Sequence, residues 1–191
     1  MSANTMNTEE REQYVQEIES TKAKYYQEHN KNRFFKNSQK LKCATSISQQ
    51  MDIHKMIKCT VFQVPNTNIL YYNYLVFKSY ANEQVTPILY QYVVALVDKV
   101  LKEYSSFEFH VNLKSFTISA AQRYYHIICS VFEDNTAFTG KMTRLVIYHT
   151  PSVINNIRQL LYNSIKDIVD KVEYFYKDSD THIAKLFDIS S

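Results

Sequence analysis

A single glycine, Gly140, in 191 residues is the tightest constraint on this chain. Glycine supplies the left-handed backbone and the close main-chain approach on which phosphate-cradling loops depend. The dinucleotide fingerprint and the P-loop each need several glycines at fixed spacing, so a Rossmann or P-loop nucleotide site is excluded. A length of 191 residues with 45% apolar content can bury one substantial core, which predicts one globular domain with some extension. The net charge of +3 is small and mixed along the chain, unlike the basic face of a nucleic-acid binder, so no nucleic-acid partner is expected. Cys43, Cys59 and Cys129 are odd in number and widely spaced, as expected of reduced thiols rather than a disulfide framework. Met1 to Gln13 is polar and acidic where a signal peptide would be apolar, so a cytoplasmic location is expected. Sixteen Tyr and eleven Phe without Trp, and Lys far above Arg, resemble the coding bias of an AT-rich genome.

Asn7 and Glu10 have capping-box spacing, and Tyr14, Val15, Ile18, Tyr25 and Tyr26 recur on one side of the polar run after them, which predicts a helix from about Thr8 to His29. Lys31 to Lys42 holds five basic residues and no acid. It reads as a solvated connector or as a patch for an anionic membrane surface, made by Lys31, Arg33, Phe34, Phe35 and Lys36. At roughly 1 kcal/mol per basic side chain, five give about 5 kcal/mol, an affinity of roughly 0.1 to 1 mM and a transient membrane visit. A short helix around Ile47 to His54 is expected to lead into a β-hairpin, Ile57 to Val64 and Ile69 to Phe77, about Pro65-Asn66-Thr67-Asn68. Thr86 as N-cap and Pro87 open a helix that is apolar nearly all round from Ile88 to Val97 and must be buried against the sheet. Broken by Gln91 and ended by Asp98, it falls short of the roughly 20 apolar residues of a membrane span.

From Phe107 to Phe175 the pattern is that of a small βαβ sheet enclosing something apolar. Phe107, Phe109, Val111 and Leu113 alternate with Glu108, His110 and Asn112, so a polar strand face is expected to meet solvent or a cavity. Ser119 and Gln122 have capping-box spacing, and the helix they open turns Ala120, Ala121, Tyr124, Tyr125, Ile128, Val131 and Phe132 toward the core. A loop holding Gly140 gives way to Leu145 to Tyr148, a continuous apolar run expected of a central parallel strand buried on both faces. Thr150 is placed to cap and Pro151 to start a helix with Val153, Ile154, Ile157, Leu160 and Leu161 in one stripe, opposite Asn155, Asn156, Arg158 and Gln159. Ile165 to Val169 adds a helical turn, Val172 to Tyr176 a last strand and Ser179 to Phe187 a closing helix.

In Phe107 to Phe116, Leu145 to Ser152 and Val172 to Leu186, the order of elements resembles the Sec14-like, or CRAL-TRIO, lipid-binding family. The branch most similar is that of Rho GTPase-activating and BNIP-2-like proteins. The segments that carry the resemblance are Tyr148-His149-Thr150-Pro151-Ser152-Val153-Ile154 and Val172-Glu173-Tyr174-Phe175-Tyr176 leading to Asp178-Ser179 and Ile183-Ala184-Lys185-Leu186. Where many members carry an acid and then a glycine after the first central strand, this chain has Asn112 and Ser115. The resemblance covers Met51 to the C-terminus. It implies an α/β fold with a mostly parallel sheet covered by helices in residues 51–191, preceded by a helical, basic extension in residues 1–50. It also implies that the helix Pro151 to Asn163 gates an apolar pocket. Residues suited to line that pocket are Tyr125, Ile128, Phe132, Tyr148, Val153, Ile154, Ile157 and Leu161. A sixteen-carbon acyl chain at about 0.8 kcal/mol per methylene offers on the order of 12 kcal/mol from apolar lining alone.

His110 and His149 lie near corresponding ends of two strands, a candidate polar site for an acidic headgroup. A metal would need three or four convergent ligands, and His126 with Cys129 supplies two on partly different faces, so neither metal nor other cofactor is expected. No oriented base accompanies Cys59 or Cys129, so catalysis is not the expected role. An enzyme would instead require Glu108, His110 and His149 to meet in one cleft. Two readings remain. One is non-catalytic binding of a lipid or other small hydrophobe. The other is a protein-interaction module engaging small GTPases or their regulators. Ile157→Asp is expected to abolish ligand uptake more than it damages folding.

Overall fold

The structure is a computed structural model; it describes residues 6–29, 36–133 and 136–188, without the side chains of residues 36, 131–133 and 136–137. The chain divides into two compact units. The first comprises residues up to Thr60 together with Val76–Leu89, and the second Val61–Leu75 together with residues from Tyr90 onward.

In the first unit, α1 (Thr8–Glu28) carries the predicted capping box: the Asn7 side chain accepts from the Glu10 amide and the Glu10 carboxylate accepts from the Asn7 amide. α2 (Lys36–Gln50) runs through most of the segment expected to be a linker and absorbs the short helix expected at Ile47. α3 (Ile53–Thr60) replaces the first half of the expected strand Ile57 to Val64. Asp52 explains the difference, because its Oδ1 accepts from the His54 and Lys55 amides and caps a helix whose Met56, Ile57, Cys59 and Thr60 are all buried. The second expected hairpin strand is cut short in the same way: Asn73 Oδ1 accepts from the Leu75 amide, and α4 (Tyr74–Tyr80) begins there. α5 (Thr86–Glu103) comes next and passes into the second unit.

The second unit is an α/β structure with a five-stranded sheet in sequential order: β1 (Val61–Gln63), β2 (Ile69–Asn73), β3 (Phe107–Asn112), β4 (Met142–Tyr148) and β5 (Val172–Tyr174). β1 and β2 form the expected antiparallel hairpin, and the pairs from β2 to β5 are parallel. β4 is interior, with Leu145, Val146 and Tyr148 buried, although the middle strand is β3. α6 (Ile118–Arg123), α7 (Tyr125–Glu133) and α8 (Thr136–Lys141) connect β3 to β4. α9 (Ile154–Ile165) and a 3-10 segment (Lys166–Lys171) connect β4 to β5, and α10 (Ser179–Asp188) comes after the sheet. Thr117, not Ser119, caps α6, accepting from the Ala120 amide, and Gly140 sits inside α8 rather than in a loop.

Register assigns the two faces, since paired residues on neighbouring strands point the same way. Leu70, Phe107, Phe109 and Met142 share one face and meet α5 and α8. On the opposite face, Phe62 and Tyr71 pack with Val64 and with Ile183, Leu186 and Phe187 of α10. Both α5 and α8 on one face is the arrangement that right-handed crossovers impose on a sheet with strands in sequential order.

Candidate functional site

Three features of the second unit are candidates for a functional site. The first is the turn from β4 into α9. His149 adopts φ 50°, a left-handed conformation uncommon for a side-chain-bearing residue. Its amide donates to Ser179 Oγ at 2.9 Å, and the Thr150 amide donates to the Phe175 carbonyl at 3.0 Å. Thr150 does not cap the helix as its position suggests; its hydroxyl instead donates to the Ile147 carbonyl at 2.9 Å. α9 starts at Ile154 with Val153 in the N-cap position and no side-chain cap, three residues after Pro151. Ile154, Ile157 and Leu161 are buried, while Leu160, expected in the same stripe, is 37% exposed. The helix packs chiefly on α7 and α6 rather than on the strands.

Beneath α5 and α8 lies the second feature, an apolar cavity of about 30 Å³ bounded by Leu70, Val94, Val97, Phe107, Phe109 and Phe138 among others. That is about the volume share of one water molecule.

The third is a polar network across the face of the sheet that β3 is expected to offer to solvent or a cavity. Neither fits, because His110 and Asn112 are 5% and 7% exposed. His110 Nδ1 lies 2.9 Å from the Tyr148 hydroxyl and Nε2 lies 3.1 Å from Glu108 Oε2. Burial lowers the His110 pKa despite the neighbouring Glu108, and burial also pushes the Tyr148 hydroxyl up to about 12. A neutral imidazole meets both partners at once, with Nε2–H donating to the carboxylate and Nδ1 accepting from the phenol. Asn112 Nδ2 donates to the Tyr71 hydroxyl at 3.1 Å, and its Oδ1 accepts from the Lys114 amide. At the outer edge Arg144 bridges Glu108, at 3.0 Å, and Glu173. Among the described residues every buried side-chain nitrogen and oxygen has a partner.

His149 belongs to a different network. Its Nε2 meets Asp180 Oδ1 at 3.0 Å, and Lys114 Nζ reaches both oxygens of the same carboxylate at 3.4 Å. The hydrogen bond from His149, reinforced by Lys114, holds the Asp180 carboxyl below its ordinary pKa. His149 also lines an open cleft of about 560 Å³ at the carboxyl edge of the sheet, between Leu113–Ser119 and His149–Val153. Ser115, at the edge of that cleft, takes φ 64°.

Measured against expectation, His110 and His149 are both placed near the parallel pair β3 and β4 but are held by separate partners. Glu108 and His110 are bonded; His149 is not among their partners. Of the residues expected to line a pocket, Val153 borders the cleft. Tyr148, Ile154, Ile157 and Leu161 are buried, and Tyr125 and Ile128 are half-buried. The Phe132 side chain lies outside the described residues, as do Lys31, Arg33, Phe34, Phe35 and the Lys36 side chain. His126 is exposed and Cys129 buried, its sulfur 3.0 Å from the Ser164 hydroxyl. All three cysteines are buried and free, and burial raises the thiol pKa of Cys43 and pushes that of Cys59 up to about 11, which suppresses the reactive thiolate. No helix among the described residues is long and apolar enough to cross a membrane. Lys114 and Asp180 escape sequence reasoning, since their link joins positions far apart in the chain and neither lies in a recognisable motif. Compared with known proteins, the chain matches no family model and no curated relative.

Proposed function

We propose that this protein binds a lipid or other small hydrophobic ligand without catalysis, in a Sec14-like arrangement whose gate is α9 with the turn before it. The observation that carries the reading is the packing of α9. Its apolar stripe is buried against α6 and α7, so the helix can swing away without unpairing any strand of the sheet. Ser115 in the left-handed region adds support, because it gives this chain the turn that the resembling family often makes with glycine. The apolar cavity beneath α5 and α8 holds no acyl chain at about 30 Å³, so uptake requires the covering helices to move. We place the protein in the cytoplasm, with transient visits to anionic membrane surfaces.

Ile157 is 3% exposed, so Ile157→Asp would bury a charge and damage folding as much as any gate. Ile157→Ala is the better test. It loosens α9 at a cost of about 2 to 4 kcal/mol, and exchange of a fluorescent sixteen-carbon fatty acid should speed up, about tenfold for each 1.4 kcal/mol that appears in the opening step. An unchanged exchange rate in the folded variant would remove α9 as the gate.

A second reading has its own observation. α9 leaves Tyr162 59% exposed, an aromatic side chain of the kind that anchors a protein interface, as engagement of a small GTPase or its regulator would require. In that case Tyr162→Ala would abolish partner capture while fatty-acid uptake stays absent in the parent protein.

A further inference from the structure

We propose that the cleft at the carboxyl edge of the sheet binds the phosphate of a small phosphomonoester, which takes Lys114 and His149 from Asp180. Parallel sheets offer ligand sites outside the carboxyl ends of their strands, where successive loops diverge. Here the β3–α6 loop and the β4–α9 turn diverge to leave a cleft of about 560 Å³, within the usual size of a small-molecule site. His149 lines the cleft, and its Nε2, at 3.0 Å, converges on the Asp180 carboxylate with Lys114 Nζ, at 3.4 Å, from the loop whose Leu113 and Ser115 also line it. Two donors converging on one carboxylate is the ligation a phosphate group receives, and the Asp180 oxygens stand in for phosphate oxygens.

Asp180 is a replaceable occupant. Its side chain is 74% exposed and can turn into water when displaced. It carries one negative charge, whereas a phosphomonoester near pH 7 carries about 1.5 to 2 and three acceptor oxygens, so the ester competes favourably for the same donors. No acid lines the cleft itself. The exposed hydroxyls of Ser119 and Ser152 border it from opposite sides, and Phe116 and Ile118 supply an apolar wall for the carbon part of the ester. This inference goes beyond the hydrophobic-ligand reading and does not rest on it.

The test is calorimetric titration of the full chain with glycerol 3-phosphate and with inorganic phosphate, beside binding to phosphatidylcholine vesicles with and without phosphatidic acid. Saturable binding of glycerol 3-phosphate is expected, weakened about tenfold by Lys114→Gln and strengthened about tenfold by Asp180→Asn, each near the worth of one charge-assisted hydrogen bond. Binding confined to phosphatidic acid vesicles, with the same two variant effects, supports the site and makes a lipid headgroup the source of the phosphate. Absence of binding to all these probes overturns the proposal. So does binding that neither variant changes, or a loss of binding in Asp180→Asn, which would make Asp180 a structural clasp. Because glycerol 3-phosphate has no acyl chain, these outcomes are independent of fatty-acid exchange.

Discussion

The two faces of the sheet come from the same strands and solve burial in opposite ways. Under α5 and α8, Leu70, Phe107, Phe109 and Met142 meet apolar helix side chains and leave an apolar cavity of about 30 Å³. Across the strands, His110 and Asn112 are as deeply buried as many apolar core residues, yet each is matched atom for atom by a phenol, a carboxylate or an amide. Apolar packing tolerates a small void because dispersion and hydration are non-directional. A buried polar network tolerates none, because each unmatched donor or acceptor carries its full desolvation cost. The apolar face therefore has latitude to repack, while the polar face holds the strands in one register.

The contrast can be broken most severely on the apolar side. Phe107 is 2% exposed, so Phe107→Ala should lower the unfolding free energy by about 3 to 5 kcal/mol in a denaturant titration. Next comes the polar side, where Asn112→Ala leaves the buried Tyr71 hydroxyl unmatched and should cost about 1 to 3 kcal/mol. Replacing both members, Asn112→Leu with Tyr71→Phe, should recover part of that loss; a purely additive double variant would show that the hydrogen bond is not what matters.

Acid should weaken the polar face as well. The folded-state pKa of His110 lies below its ordinary value of 6.5, chiefly through burial, so the folded protein binds fewer protons than the unfolded chain. The stabilisation is complete above 6.5 and is lost as pH falls from there toward the lowered folded-state pKa. Melting temperature should thus drop as pH falls below about 6.5, and His110→Gln should flatten that slope. Smallest of all is Arg144→Ala: the arginine side chain is 47% exposed, so losing its two ion pairs should change stability by less than about 1 kcal/mol.

Periodicity made the sheet readable wherever it was strict. β3, β4, the hairpin turn and the capping box at Asn7 all stand where their patterns put them. The pattern failed where one local side chain outweighs strand propensity. Asp52 and Asn73, each capping a helix with its own oxygen, turn β-branched and aromatic residues into α3 and α4. The buried polar face was invisible for another reason. Glu108, His110 and Asn112 alternate as solvent-facing residues would, and nothing in β3 alone announces that Tyr71 and Tyr148 on the flanking strands supply their partners. The Lys114–Asp180–His149 array is legible only once the fold has brought two loops and the first turn of α10 together.

The most direct measurement is native mass spectrometry of the full chain purified from a eukaryotic host, with organic extraction and lipid analysis of the same sample. A hydrophobic molecule bound at one per chain, and lost on extraction, is the predicted result. A bare protein mass that stays unchanged after incubation with mixed liposomes would contradict hydrophobic-ligand binding and leave α9 as a surface for a protein partner.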